Sequence, residues 1–150
     1  MPLPEIAVAV VVLVAVLGAR ALWGAKPVPL LTGPGTRRWS RQEGLDTQRM
    51  RARLIASCVM WVIISIPLIL KLVPPNGIYG FRIPATQASR AIWYPANAFM
   101  GWALSVAAVA SGTLLVTLPV TVKRWTLWAA FLAPLFAAIA ASFGYVKSLV

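Results

Sequence analysis

The chain has no histidine, one cysteine and only three carboxylates, Glu5, Glu43 and Asp46. Without histidine there is no ordinary haem ligand and no Ser-His arrangement for nucleophilic catalysis. The single Cys58 rules out an internal disulfide, and a Cys/His cluster able to hold structural zinc is missing. No carboxylate pair can form across the membrane, because the expected topology puts Glu5 on one side and Glu43 and Asp46 on the other. No glycine-rich stretch has the spacing of a phosphate cradle. These absences remove the usual equipment of an enzyme and leave no cofactor or metal site to expect. Ion- or proton-coupled transport ordinarily needs an ionisable group inside a span, and no span has one near its centre.

What is present is apolar and basic. The 150 residues are 60% hydrophobic, with a mean hydropathy of +0.81, well above a soluble domain. The length makes one membrane domain, residues 1–150. The net charge of +11 points to lipid headgroups rather than nucleic acid, since the cations lie at the ends of apolar runs.

Four runs are long enough to cross a bilayer, which takes about 20 mostly apolar residues. Ile6–Trp23 is interrupted only by Arg20. It has no basic leader and an early Glu5, so an uncleaved helix is expected rather than a signal peptide. Leu54–Leu70 is bracketed by Arg53 and Lys71, whose stems can snorkel. Ala91–Val122 is too long for one span, and Pro95 and Pro119 confine its helix to residues 96–118. Trp125–Val146 is the fourth. The expected fold is an all-α integral membrane protein with four transmembrane helices, at about 6–23, 54–72, 96–118 and 125–146. A basic loop covers 24–53, and an ordered outward loop covers 73–95 between helices 2 and 3.

Ten of the fourteen cations fall in or beside the first and third loops, against Lys71, Arg82, Arg90 and Lys147 on the other side. The positive-inside rule makes the first and third loops cytoplasmic, with both termini and residues 73–95 outside. Trp23, Trp93, Trp125 and Trp128 fall near the interfaces, while Trp61 and Trp102 fall deeper and should pack between helices. Ala103, Ala107 and Ser111, with Ala108 and Gly112 beside them, form one small-residue face. Ala133, Ala137 and Ala141 form another, and the two are expected to meet. In the basic loop, Ser40-Arg41-Gln42-Glu43 matches a capping box for a short interfacial helix. Gly44 ends that helix, and Asp46 or Thr47 caps the next. The basic loop sets topology or meets a cytoplasmic partner or anionic lipid.

One stretch is neither membrane filler nor basic loop: Pro74-Pro75-Asn76-Gly77-Ile78-Tyr79-Gly80-Phe81-Arg82-Ile83-Pro84-Ala85-Thr86, followed by Trp93-Tyr94 and Asn97. Its prolines, glycines and aromatics suit a fixed surface, and fixed loops on rigid scaffolds carry function. Pro74-Pro75 should stop helix 2. Asn76-Gly77 is a turn pair that tolerates positive φ. Gly80, between Tyr79 and Phe81, lets the backbone pass close under an aromatic ring. Thr86 can cap a short helix through residue 94. Arg82 can either lock the loop by donating to carbonyls or hold the carboxylate or phosphate of a ligand.

This stretch, with Gly101 beyond it, resembles the signature of the SdpI family of bacterial integral membrane proteins. The resemblance covers residues 73–101 and the flanking helices. It implies the inner (plasma) membrane as the location. It also implies a role like that of the family's namesake, which gives immunity to a secreted sporulation-delay toxin and signals by holding a repressor at the membrane. The namesake is larger, and the family often has a threonine before the proline that here is Pro84, where Ile83 stands. On this resemblance Pro75, Asn76, Tyr79, Gly80, Arg82, Pro84, Trp93 and Asn97 form or support a site for a toxic peptide or signal at the outer face. The alternative is a small accessory or assembly subunit of a larger membrane complex, and a third reading is a lipid- or quinone-interacting protein.

Overall fold

A computed structural model describes residues 36–119 and 121–150, all-helical among those residues. The expected first span, 6–23, lies outside them. The elements are α1 (Thr36–Ile69), α2 (Pro84–Gln87), α3 (Arg90–Thr117) and α4 (Arg124–Lys147). Three stretches are long and apolar enough to cross a membrane: Gln42–Ile69, Arg90–Thr117 and Arg124–Lys147. The order in space follows from which pairs pack: α3 lies between α1 and α4, and α1 and α4 barely touch.

α1 is one helix where two were expected. Residue 40 and Gly44 both lie inside it, so neither the capping box nor the glycine stop is used. A helical glycine costs only about 1 kcal/mol, less than breaking a long helix on both sides of it. Thr47 does not cap either; its hydroxyl donates back to the Glu43 carbonyl at 2.9 Å. α1 also ends before Pro74-Pro75. The Leu72 N–H reaches the Pro67 carbonyl at 3.0 Å and the Lys71 N–H reaches Leu68 at 3.1 Å. Lys71 takes φ +56. Together these make a Schellman closure with lysine in the left-handed position usually given to glycine.

α3 begins at Arg90, not near Ala96. Ser89 is its N-cap, accepting from the Ile92 N–H at 3.3 Å. Pro95 sits in the second turn, where its missing N–H removes one helical bond without ending the helix. Pro67 and Pro134 likewise lie within continuous helices.

The helices meet through small and polar residues, as lipid-solvated helices do. Gly101 lets α3 approach α1 so closely that an added Cβ would lie 2.9 Å from an Ile69 side-chain atom and 3.1 Å from the Ser65 carbonyl. On α3, Ala107, Ala108, Ser111 and Gly112 are buried, as the small-residue face predicts, and Ser111 donates to the Phe131 carbonyl at 3.0 Å. The partner face on α4 differs from expectation. Ala133, Ala137 and Ala141 are exposed, and α3 is met instead by Leu127, Phe131, Ala138, Ser142 and Val146. Larger side chains interlock there: Phe99 stacks on Tyr145 at 4.3 Å, and Ser142 donates to the Met100 sulfur at 3.0 Å. The main core gathers Leu54, Ile55, Cys58 and Val62 of α1, Ala108 and Leu115 of α3, and Leu127 and Phe131 of α4. Trp61 and Trp102 are half-buried.

At the far end of the bundle from residues 70–89, Arg51 clamps two helices. Its guanidinium donates to the carbonyls of Leu118 at 2.8 Å and Pro119 at 2.7 Å. These carbonyls close the C-terminal end of α3, where a cation also meets the negative end of the helix dipole.

Candidate functional site

The segment between α1 and α3 is held by its own side chains. Asn76 is the first anchor. Its side-chain oxygen accepts the N–H groups of Ile78 at 2.8 Å and Tyr79 at 2.7 Å. Its amide donates to the Pro74 carbonyl at 2.8 Å. This is an Asx turn, the conformation asparagine offers more readily than other residues. Gly77 does not use positive φ; among the described glycines only Gly80 does, at +111°.

Tyr79 turns back along α1, and its hydroxyl donates to the Ile64 carbonyl. Pro67, lacking an N–H, leaves the carbonyl of residue 63 without its helical donor, so this stretch of α1 is already loosened beside the tyrosine. Burial pushes the Tyr79 phenol above the ordinary tyrosine value.

Gly80, Trp93 and Asn97 form one cluster. Asn97 is buried on α3; its oxygen accepts the Phe81 N–H at 2.6 Å and its amide donates to the Trp93 carbonyl at 3.0 Å. A Cβ on Gly80 would lie 2.4 Å from that oxygen and 3.4 Å from the Trp93 ring. Trp93 is fully buried, and its indole N–H donates to the Val73 carbonyl at 2.8 Å. It is therefore a packing and anchoring residue rather than an exposed member of an aromatic belt, while Trp125 and Trp128 are exposed.

Thr86 has a different role from the one its sequence suggested. Ile83 precedes α2 in extended geometry, Pro84 takes the first helical turn, and Thr86 lies three residues on. Its hydroxyl accepts from the Ile83 N–H at 3.0 Å and donates to the Phe81 carbonyl at 2.8 Å. It caps the start of α2, and Ser89 caps α3. Phe81, which sequence reasoning passed over, packs with Ala96 and Val146 and sits edge-on to Phe143 at 5.1 Å. Its place in a run of aromatics and glycines was the available signal. Arg51 was hidden among six other cations of the basic loop, and only the tertiary contact separates it.

Of the eight expected site residues, Tyr79, Gly80, Trp93 and Asn97 are joined through the Phe81 backbone and the helix ends, and Asn76 is joined through the Tyr79 N–H. Pro75 and Pro84 are exposed and shape the chain from outside that cluster. Arg82 is exposed and donates to the Gly77 carbonyl. A guanidinium carries five N–H donors, so Arg82 keeps donors for another group.

No buried side-chain polar atom among the described residues lacks a partner, and no metal-binding group is found among them. A cavity of about 10 Å³ lies between Cys58, Trp61, Ala107, Ser111 and Phe131. That is room for about one water molecule. Lys71, Arg82, Arg90 and Lys147 are all exposed toward the loop end. The described carboxylates, Glu43 and Asp46, lie in the opposite half of α1, where Asp46 is 4.0 Å from Arg49.

No curated protein and no solved structure matches the chain. A family model described as the SdpI/YfhL protein family matches residues 71–146. The match starts at the left-handed Lys71, runs through the Asx turn and the Gly80–Asn97 cluster, and ends in the last turn of α4. It takes in 76 of the 150 residues, and the chain belongs to the SdpI/YfhL family.

Proposed function

We propose that this multi-pass membrane protein is a non-catalytic binding protein of the bacterial inner membrane. Its motif loop, facing outward with both termini, meets a toxic peptide or signal as an immunity or sensor element. The observation that carries the reading is the division of labour among the loop's polar groups. Asn76, Tyr79, Thr86, Trp93 and Asn97 are each bonded within the protein, and Arg82 is exposed with donors to spare. A loop fixed before its partner arrives avoids an ordering cost on binding, and a guanidinium with donors left over suits a carboxylate.

The test is Arg82→Ala in cells challenged with the toxin or signal, with membrane insertion measured in parallel. Loss of protection at normal insertion supports the reading; full protection at normal insertion removes Arg82 from the site. A second reading, an assembly subunit of a larger complex, is favoured by α4. Only 17% of its most apolar window is buried, against 39% and 44% for the other two spans. A stoichiometric partner recovered with the chain from native membranes would select it.

A further inference from the structure

The depth of the motif loop can be read from the helices. An apolar bilayer core is about 30 Å thick, or about twenty residues of helix. Arg51 bonds to the end of α3, and Lys123 and Arg124 open α4, so these cations mark one boundary. Twenty residues along each helix mark the other. On α1 the count from Arg51 reaches Lys71; on α3, back from Thr117, it reaches Asn97; on α4, from Arg124, it reaches Gly144. The three helices agree, and each marked position adjoins the loop. Lys71 opens the loop, Asn97 accepts the Phe81 N–H, and Phe143, beside Gly144, touches the Phe81 ring. Tyr79 reaches lower still, to the Ile64 carbonyl, seven residues or about 10 Å below Lys71.

The loop is therefore folded down to the boundary instead of standing above it. Next to Tyr79 in the chain, Ile78 is 90% exposed, with Leu72 at 68% and Leu70 at 44% at the end of the first span. An isoleucine at the tip of an Asx turn gains nothing from local geometry, since such turns favour small polar residues. Its own N–H is bonded to Asn76, which removes a backbone donor that lipid could not satisfy. Arg82 donates to the carbonyl of Gly77, the residue before Ile78, and a cation there suits the phosphate of a lipid headgroup.

We propose that Ile78 anchors the motif loop in the bilayer, its side chain inserted at the boundary between headgroups and acyl chains. The partner of this surface is the phospholipid of the protein's own membrane. The proposal does not depend on what the loop binds.

The experiment is a spin label at Ile78→Cys in the full chain, reconstituted in vesicles of phosphatidylethanolamine and phosphatidylglycerol. Collisions with lipid-soluble oxygen are compared with those of a water-soluble nickel chelate. Ile78 makes no buried contact, so the variant should fold, and wild-type protein reports any label taken by the buried Cys58. Val106→Cys, exposed midway along α3, serves as the lipid reference, and Gln42→Cys as the water reference. Oxygen collisions several-fold above those at Gln42, with the chelate excluded, support the anchor. A label at 78 that meets the chelate as Gln42 does overturns it. A label shielded from both reagents also overturns it, because protein and not lipid would then cover the site.

Discussion

Replacing Gly80 by alanine should undo the loop's deepest anchor, and the structure sets the size of the effect. At φ +111 an L-residue is strained by about 1–3 kcal/mol. The new Cβ would lie 2.4 Å from the Asn97 side-chain oxygen, which no real Cβ tolerates. Asn97 is 2% exposed and bonded at both ends of its amide, so it can yield only by giving up the Phe81 N–H. A buried donor left without a partner costs about 1–3 kcal/mol more. The expected loss is therefore about 3 kcal/mol or more, read by denaturant titration in mixed micelles from tryptophan fluorescence. Gly77→Ala is the control, since it has open space and an ordinary φ, and it should stay within about 0.5 kcal/mol of wild type. Asn97→Ala removes the clash along with the bond. The double variant should accordingly cost less than the two singles together, by about 1 kcal/mol or more. A Gly80→Ala protein as stable as Gly77→Ala would refute the reasoning.

Lys71→Gly should raise stability by about 1 kcal/mol, because lysine at φ +56 carries a left-handed penalty that glycine does not; an unchanged or lower unfolding midpoint would contradict the Schellman closure. Arg51→Ala should cost about 1–2 kcal/mol, allowing for the solvent reach of this half-buried guanidinium, and Arg51→Lys should recover only part of it because an ammonium cannot span two carbonyls. Equal stability of the lysine variant and wild type would show that the fork is not needed. Tyr79 has a folded-state pKa raised by burial, so the protonated phenol is the form the fold favours. Its contribution is fully present below about pH 10, the ordinary tyrosine value, and is lost as pH rises through the higher folded value. Stability measured against alkaline pH should fall in wild type and fall less in Tyr79→Phe; identical curves would dissociate the phenol from the fall.

Much of the plan could be read from the chain because the bilayer imposes it. Apolar runs of fixed length bounded by cations give spans wherever they occur: Leu54–Ile69 and Trp125–Val146 lie within helices, the first ending at Ile69 rather than at the expected residue 72. Where expectation and structure part, a local signal was outweighed by its surroundings. Gly44 stays helical because the helix continues on both sides of it. Ala133, Ala137 and Ala141 have helix-packing spacing, yet α3 takes the neighbouring face of α4, where Phe131, Ser142 and Val146 interlock with its side chains. The loop residues could be picked out by type, since Asn76, Gly80 and Asn97 are chosen for backbone demands that few other residues meet. Their pairing could not, because Gly80 and Asn97 are seventeen positions apart and on different elements.

The sequence by itself determined the medium, the helical class and the family. Those depend on composition, run length and a contiguous motif, which exist before any folding. Only the tertiary structure decided that Asn97 closes on Gly80 and Phe81, that Tyr79 reaches down to Ile64, and that one arginine among many clamps the end of α3. Each of these is a directional bond between residues far apart in the chain. Its geometry is fixed by how three helices pack, which no local pattern encodes.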